Sequence, residues 1–286
     1  MPTARENLAI GVVNSQIYAI GGDNSSVNAA STVQVYDPVS NLWATRAALP
    51  TARSGLAIGV VNNQIYAIGG HDSGFNDRST VERYDPVSNT WTNRAAMPTS
   101  RSYLAIGVVN NQIYAIGGAN GNNLNLLSTV EAYDPVTNLW TTKAPMSRAR
   151  SHLAIGVVNN QIYAIGGFTD NGTDRTIEMY DPVINTWVTR ADMALGRQDL
   201  AIGVVTNQVY VIGGHNEFGR VSRAVEMYDP ASNIWVTKAD MPTGRVGLAI
   251  GVVNNQIFAI GGDGSAFLST VEQFTPGPTV YLLFKN

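Results

Sequence analysis

One phrase recurs along this chain at an almost constant interval, and that regularity limits the possible folds more than any other feature. The pair Gly-Gly closes it at Gly21-Gly22, Gly69-Gly70, Gly117-Gly118, Gly166-Gly167, Gly213-Gly214 and Gly261-Gly262, spaced 48, 48, 49, 47 and 48 residues apart. Tryptophan keeps the same beat at Trp43, Trp91, Trp140, Trp187 and Trp235. The phrase LAIGVVNNQIYAIGG stands unchanged at 56–70, 104–118 and 153–167, and nearly so in the other three copies. A module repeated at this length hides its apolar side only against neighbouring modules. Copies this similar point to recent duplication or to deliberate repeat engineering.

Each copy reads as four strands. In the second, residues 56–61 and 64–68 are β-rich runs joined by Asn62-Asn63, and Asn tolerates the positive φ of a two-residue hairpin turn. The first strand puts Leu56, Ile58 and Val60 on one face and Ala57 and Gly59 on the other. Such a small-residue face suits a strand crowded near an axis where sheets converge. A third strand over 79–84 stops at Asp85-Pro86, because proline cannot donate to a ladder. The fourth carries Trp91 and the polar run Thr92-Asn93-Arg94, suited to an outer edge. No helical period competes. The expected fold is all-β, a six-bladed propeller of four antiparallel strands per blade, closed radially. The blades fall at about 1–49, 50–97, 98–146, 147–193, 194–241 and 242–286 of one domain.

The order Arg, Gly-Gly, Val-Glu-x-Tyr-Asp-Pro, Asn-x-Trp is Arg101, Gly117-Gly118, Val130-Glu131-Ala132-Tyr133-Asp134-Pro135, Asn138 and Trp140 in the third copy. This resembles the kelch repeat and covers essentially the whole chain. WD40 repeats fit less well, since no Trp-Asp dipeptide ends a unit. The sixth copy departs from the pattern: Phe274 replaces Tyr, Thr275-Pro276 replaces Asp-Pro, and Tyr281 falls at the tryptophan position. With no strand exchanged between the chain ends, closure is expected from packing of blades one and six alone. The apolar tail at 279–286 would aid it, and its deletion should lower the melting temperature.

Composition excludes several function classes. A net charge of −3 and a pI near 5.6 leave no electrostatic footprint for nucleic acid or an anionic membrane. With no cysteine, thiolate catalysis, disulfides and thiolate zinc sites are excluded, as is the copper-oxidase branch of kelch-like propellers, whose cofactor the resemblance ties to a cysteine. The chain lacks a run of 18 apolar residues and an opening signal peptide, so it reads as soluble, with its compartment open. No phosphate-binding loop is present, and no cofactor is expected. No adaptor or dimerisation module accompanies the repeats, and a monomer is expected.

The copies differ in two segments. One is the pair after each arginine: Glu6-Asn7, Ser54-Gly55, Ser102-Tyr103, Ser151-His152, Gln198-Asp199 and Val246-Gly247. The other is the loop after each Gly-Gly, beginning at Asp23, His71, Ala119, Phe168, His215 and Asp263. In an up-and-down blade both crowd one face, around the mouth of the channel, where kelch propellers are implied to bind partners. These loops are either solvated connectors or a binding surface for a protein, a peptide or a small polar ligand. The candidate contacts are Asn7, Asp23, His71, Arg78, Tyr103, His152, Phe168, Asp199, His215, Glu217, Arg220, Arg223 and Asp263.

Arg5, Arg53, Arg101, Arg150, Arg197 and Arg245 form either a cationic ring or, as six-fold repetition favours, ties from each linker to backbone carbonyls. The repeated glutamates, such as Glu82 and Glu178, read as structural too. His71 and His215 sit in opposite blades roughly 20 Å apart, too far to share a metal ion. His152, near a first strand, is expected either in the channel or under a loop. Blade five gathers His215, Asn216, Glu217, Arg220 and Arg223, with Asp199 nearby, a set adequate for acid–base chemistry on a sugar acid. The resemblance supplies a precedent in sialic-acid mutarotases. The three readings are a non-catalytic binding scaffold, a symmetric repeat protein without a natural ligand, and a mutarotase-like enzyme.

Overall fold

The computed structural model describes residues 1–121, 125–277 and 282–285, with side chains through 277. Six four-stranded antiparallel sheets follow one another along the chain, each with its strands in sequence order from one edge to the other. Blade two is typical: Ala57–Val61, Gln64–Ile68, Val81–Asp85 and Thr90–Arg94. The hairpin register Val61↔Gln64 places Asn62 and Asn63 in the turn, at φ of 49° and 59°, the conformation asparagine accepts most readily after glycine. No helix occurs among the described residues.

The first strands of successive blades touch one another in a cycle that returns from Ala249–Val253 to Ala9–Val13. The small-residue face explains this close approach. A Cβ on Gly59 would stand 3.1 Å from Ile113 of blade three, and one on Gly11 would stand 3.1 Å from Ile58 of blade two. Glycine thus makes room for the next blade's isoleucine. Six apolar clusters result, each straddling two blades, and the one between blades six and one holds Ile17, Tyr36, Phe258 and Ile260.

The Asn-x-Trp motif locks the outer edges. Asn138 Oδ1 accepts from the Ala95 N–H of the preceding blade at 3.0 Å and from its own blade's Tyr133 hydroxyl at 2.6 Å. Trp140 Nε1 donates to the Ala95 carbonyl at 2.9 Å. The same clamp joins Trp91 to Ala47, Trp187 to Ala144 and Trp235 to Ala191. The motif satisfies both backbone polar groups of one linker residue while covering it with an indole.

All four strands of blade six come from the C-terminal part of the chain, with Leu282–Lys285 paired to Val271–Phe274. Closure does not rest on packing alone. The Gly262 N–H donates to the Arg5 carbonyl at 2.8 Å, and the Asn7 N–H to the Gly247 carbonyl at 2.8 Å. Equivalent bonds join the other blades: Gly22 N–H reaches the Arg53 carbonyl, and Gly70 N–H that of Arg101. Residues before the first strand therefore do for blade six what each later linker does for the blade it leaves. Within the 279–286 tail, residues 279–281, Tyr281 included, and 286 lie outside the described residues.

Candidate functional site

Five of the six linker arginines are at most 2% exposed and bound to acids, and the sixth, Arg5, is equally buried. Arg53 donates to the Gly69 carbonyl at 2.7 Å and the Thr80 carbonyl at 3.0 Å, and pairs with Glu82 at 2.7 Å. Arg101 pairs with Glu131 at 2.6 Å, and Arg150, Arg197 and Arg245 pair with Glu178, Glu226 and Glu272. The arginines hold linkers in place and offer no cationic ring to a ligand. Blade one differs, because Arg5 meets the neutral amide of Gln34 at 3.1 Å.

Both variable segments do meet on one face. Backbone bridges join Glu6 to Asp23, Ser54 to His71, Ser102 to Ala119, Ser151 to Phe168 and Val246 to Asp263. In blade five, Arg197–Gln198 pairs with His215–Asn216. The second residue of each variable pair then turns inward to the axis. There the N–H of each donates to the carbonyl of its counterpart one blade earlier: Gly55 to Asn7, Tyr103 to Gly55, His152 to Tyr103, Asp199 to His152, Gly247 to Asp199 and Asn7 to Gly247, at 2.8–3.1 Å. The result is a closed ring of six peptide hydrogen bonds around the channel mouth.

The ring demands a left-handed backbone at every member, with φ between 50° and 60°. Glycine is the default residue for that conformation, and blades two and six have it. Asn7 and Asp199 tolerate it, whereas Tyr103 and His152 are held there against steric preference. Those four side chains and six leucines (Leu8, Leu56, Leu104, Leu153, Leu200 and Leu248) line a pocket of about 120 Å³ on the axis. Sequence reasoning found the residues but not the ring. The Asn, Gly, Asp and Gly at four of its positions were the only signal of a shared backbone conformation.

Around the pocket the side chains lock together. The Tyr103 ring stacks on His152 at 3.9 Å between centroids, and its hydroxyl meets His71 Nε2 at 3.1 Å. His71 also stacks on Phe75, with centroids 5.2 Å apart. His152 contacts the Ser151 hydroxyl at 2.8 Å through Nδ1, and its Nε2 lies 3.8 Å from Asp199. Asp23 accepts from Ser54 Oγ at 3.1 Å and from Asn7 Nδ2 at 3.4 Å.

Carboxylates dominate the electrostatics. Burial pushes Glu6 up to about 7, aided by the charges of Asp23, Asp263 and Asp199. Burial also raises Asp23, against the hydrogen bonds from Ser54 and Asn7. Tyr103 is pushed far up by burial and by Asp23, Asp199, Glu6 and Asp77. His152 is lowered by burial, with Asp199 opposing, so its imidazole is neutral at pH 7.

The remaining candidates spread outward. Phe168 is 41% exposed at the mouth rim, and Arg78 is paired with Asp72 on the loop of blade two. The blade-five set does not converge. His215 is half-buried in its short ladder, Glu217 and Arg220 are exposed, and Arg223 faces Asp240 at 3.3 Å on the outside. Asp199 belongs instead to the axial pocket. Among the described residues no three His, Cys, Asp or Glu side chains converge as metal ligands.

The family model described as the KLHDC2/KLHL20/DRC7 Kelch-repeats domain matches residues 1–167. The Kelch motif model matches 149–194, 196–242 and 244–277. No curated protein matches the chain. The solved structure titled "Structure of YjhT" is similar over 99% of this chain and 98% of its own, with a TM-score of 0.85 and 16% identity, which speaks for the fold alone. Repeat motifs, six closed sheets and two family models that together span nearly every residue agree, and the chain belongs to the kelch-repeat family.

Proposed function

We propose that this propeller is a non-catalytic scaffold that binds a peptide or a small polar group at its channel mouth. One observation carries the reading. Where the six copies agree, a packing or hydrogen-bonding duty accounts for the agreement; where the pairs after each arginine diverge, the side chains of Asn7, Tyr103, His152 and Asp199 gather around a single axial pocket. Retaining Tyr103 and His152 at positions where glycine fits best costs backbone energy, and a site explains that cost better than drift does. The pocket is small beside the roughly 300–1,000 Å³ typical of drug-sized ligands, so it suits one head group, with the rim loops taking the rest.

Catalysis on a sugar acid finds less support. Its acid and its anion-holding arginine would be Glu217 and Arg223, which stand apart on exposed positions, and a carboxylate-rich mouth repels an anionic sugar.

The test compares wild type with a variant carrying Tyr103→Gly, His152→Gly and Asp199→Gly. Glycine suits the left-handed backbone there, so the fold is expected to survive. A displayed random-peptide library should yield binders for wild type that the variant does not hold, while Glu217→Gln with Arg223→Ala leaves their binding intact. Peptides that bind both proteins equally would overturn the reading.

A further inference from the structure

The side chains on the peptide ring lean one way, each toward the preceding blade. A Cβ on Gly55 would lie 3.1 Å from the Tyr103 ring, and one on Gly247 would lie 2.8 Å from Asn7 Oδ1. His152 covers Tyr103, and the Asp199 carboxylate approaches His152. Among the described residues no ring side chain covers Asp199 in turn, because Gly247 has none to lean on it. Its carboxylate receives a 3.2 Å hydrogen bond from Gln198 Nε2 on one oxygen and has only the neutral His152 ring, 3.8 Å away, beside the other. Among the described residues this carboxylate on the pocket wall has no lysine or arginine partner.

Among the described residues no lysine or arginine lines the pocket, and the linker arginines are committed to carbonyls and, except for Arg5, to acids beneath it. Asp23, Asp263 and Asp199 lie close enough to Glu6 at the same mouth to raise it. Asp263 Oδ1 is buried and receives no hydrogen bond among the described residues, a second acceptor lacking a donor. The floor of six leucines keeps the local dielectric low, which strengthens any ion pair formed above it.

We infer that the axial pocket takes a cationic nitrogen head group, an ammonium or a guanidinium, seated against the uncovered Asp199 carboxylate. The inference rests on the mouth being a binding surface and gives that surface its chemistry. The head group belongs either to a Lys or Arg side chain of a peptide or to a free amine; both satisfy the same carboxylate and fit the same volume.

Amide chemical shifts of Asn7, Gly55, Tyr103, His152, Asp199 and Gly247 read the pocket directly. The probes are agmatine, glutarate and the blocked tripeptide acetyl-Gly-Arg-Gly-amide. Agmatine and the tripeptide should shift these amides saturably, more weakly as salt rises, and glutarate should leave them still. Asp199→Asn, nearly isosteric, should weaken agmatine at least about tenfold with an unchanged melting temperature. Tighter binding of the tripeptide than of agmatine identifies a peptide as the source, and the reverse identifies a free amine. If glutarate binds instead, or Asp199→Asn binds agmatine as wild type does, the cationic assignment falls while the mouth remains a binding surface. Shifts with no probe at all also overturn it, and the peptide-library comparison then decides separately for the mouth.

Discussion

Arg5 is the one linker arginine that meets an amide where the others meet a carboxylate, and Gln34→Glu should stabilise the protein by supplying the missing charge. The position is already built for an acid. Gln34 is 4% exposed, contacts Arg5 through Oε1 and lies 3.4 Å from Thr3 Oγ1. In blades two and three the equivalent threonines, Thr51 and Thr99, donate to Glu82 and Glu131 at 2.8 Å. Burial lowers the Arg5 guanidinium from 12.5 to about 10. At about 1.4 kcal/mol per pH unit, roughly 3 kcal/mol of desolvation is therefore met only by neutral acceptors while Arg5 is charged. A carboxylate at 34 offsets this but must itself leave water, so the expected net gain is about 1–2 kcal/mol.

The gain should appear at pH 7 as a rise of about 2–6 °C in melting temperature, read by calorimetry in low salt. Its pH dependence checks the cause. An arginine-paired carboxylate has its folded-state pKa below the unfolded value, so its stabilisation is full above the unfolded value and is lost as pH falls through the folded one. The variant and wild type should therefore converge in acid. A neutral or destabilising Gln34→Glu at pH 7, or a gain that persists in acid, would refute the reasoning.

Three other outcomes follow from single contacts. Gly117→Ala should cost at least about 2–3 kcal/mol in urea denaturation, since its Cβ would stand 2.6 Å from the Arg150 carbonyl at a φ of 62°. Asn138→Gly keeps the left-handed backbone (φ 60°) but removes the acceptor for Ala95 N–H and Tyr133 OH, so about 2 kcal/mol should be lost, and Asn138→Asp should restore most of it. Glu6 holds its proton up to about 7 in the folded state, above its ordinary 4.5; wild type should thus lose stability as pH rises between those values, because the native state binds the extra proton. Glu6→Gln should flatten that slope, and calorimetry from pH 4 to 8 on both proteins would expose an identical slope if Glu6 is not the cause.

The fold was legible because its information is local and repeated. Asn62-Asn63 marks a hairpin, Asp85-Pro86 ends a strand, and Gly59 leaves space for a neighbour; each signal lies within a few residues and is written six times. The linker arginines were legible in kind, since a charge repeated in every blade answers a need of every blade. What escaped was whatever depends on two blades at once. Asn138 and Trp140 look like an ordinary turn and strand until Ala95, more than forty residues earlier, comes to lie between them. The peptide ring was harder still, because backbone groups leave no trace in residue identity, and Tyr103 and His152 actively disguise a conformation that glycine would have advertised.

The same reasoning explains why the blade-five set stays spread out while the mouth residues come together. His215, Glu217, Arg220 and Arg223 are neighbours in sequence, but strand and loop geometry turns adjacent residues to different sides, so chemical variety within nine residues does not make a site. Asn7, Tyr103, His152 and Asp199 lie one or two repeats apart in sequence and are chemically unlike one another. They converge because a closed ring brings equivalent positions of every copy to one axis. In such a chain, a site is found by comparing the same position across copies, and departures from glycine at a position that favours glycine are where to look first. A scrambled arrangement of those four side chains among the six ring positions should therefore fold as wild type does, by calorimetry, yet lose the agmatine-induced shifts. It keeps every residue and the total charge, and changes only which neighbour leaves Asp199 uncovered. Retention of wild-type shifts by a scramble that places a side chain over the aspartate would show that charge alone, without the gap at Gly247, suffices.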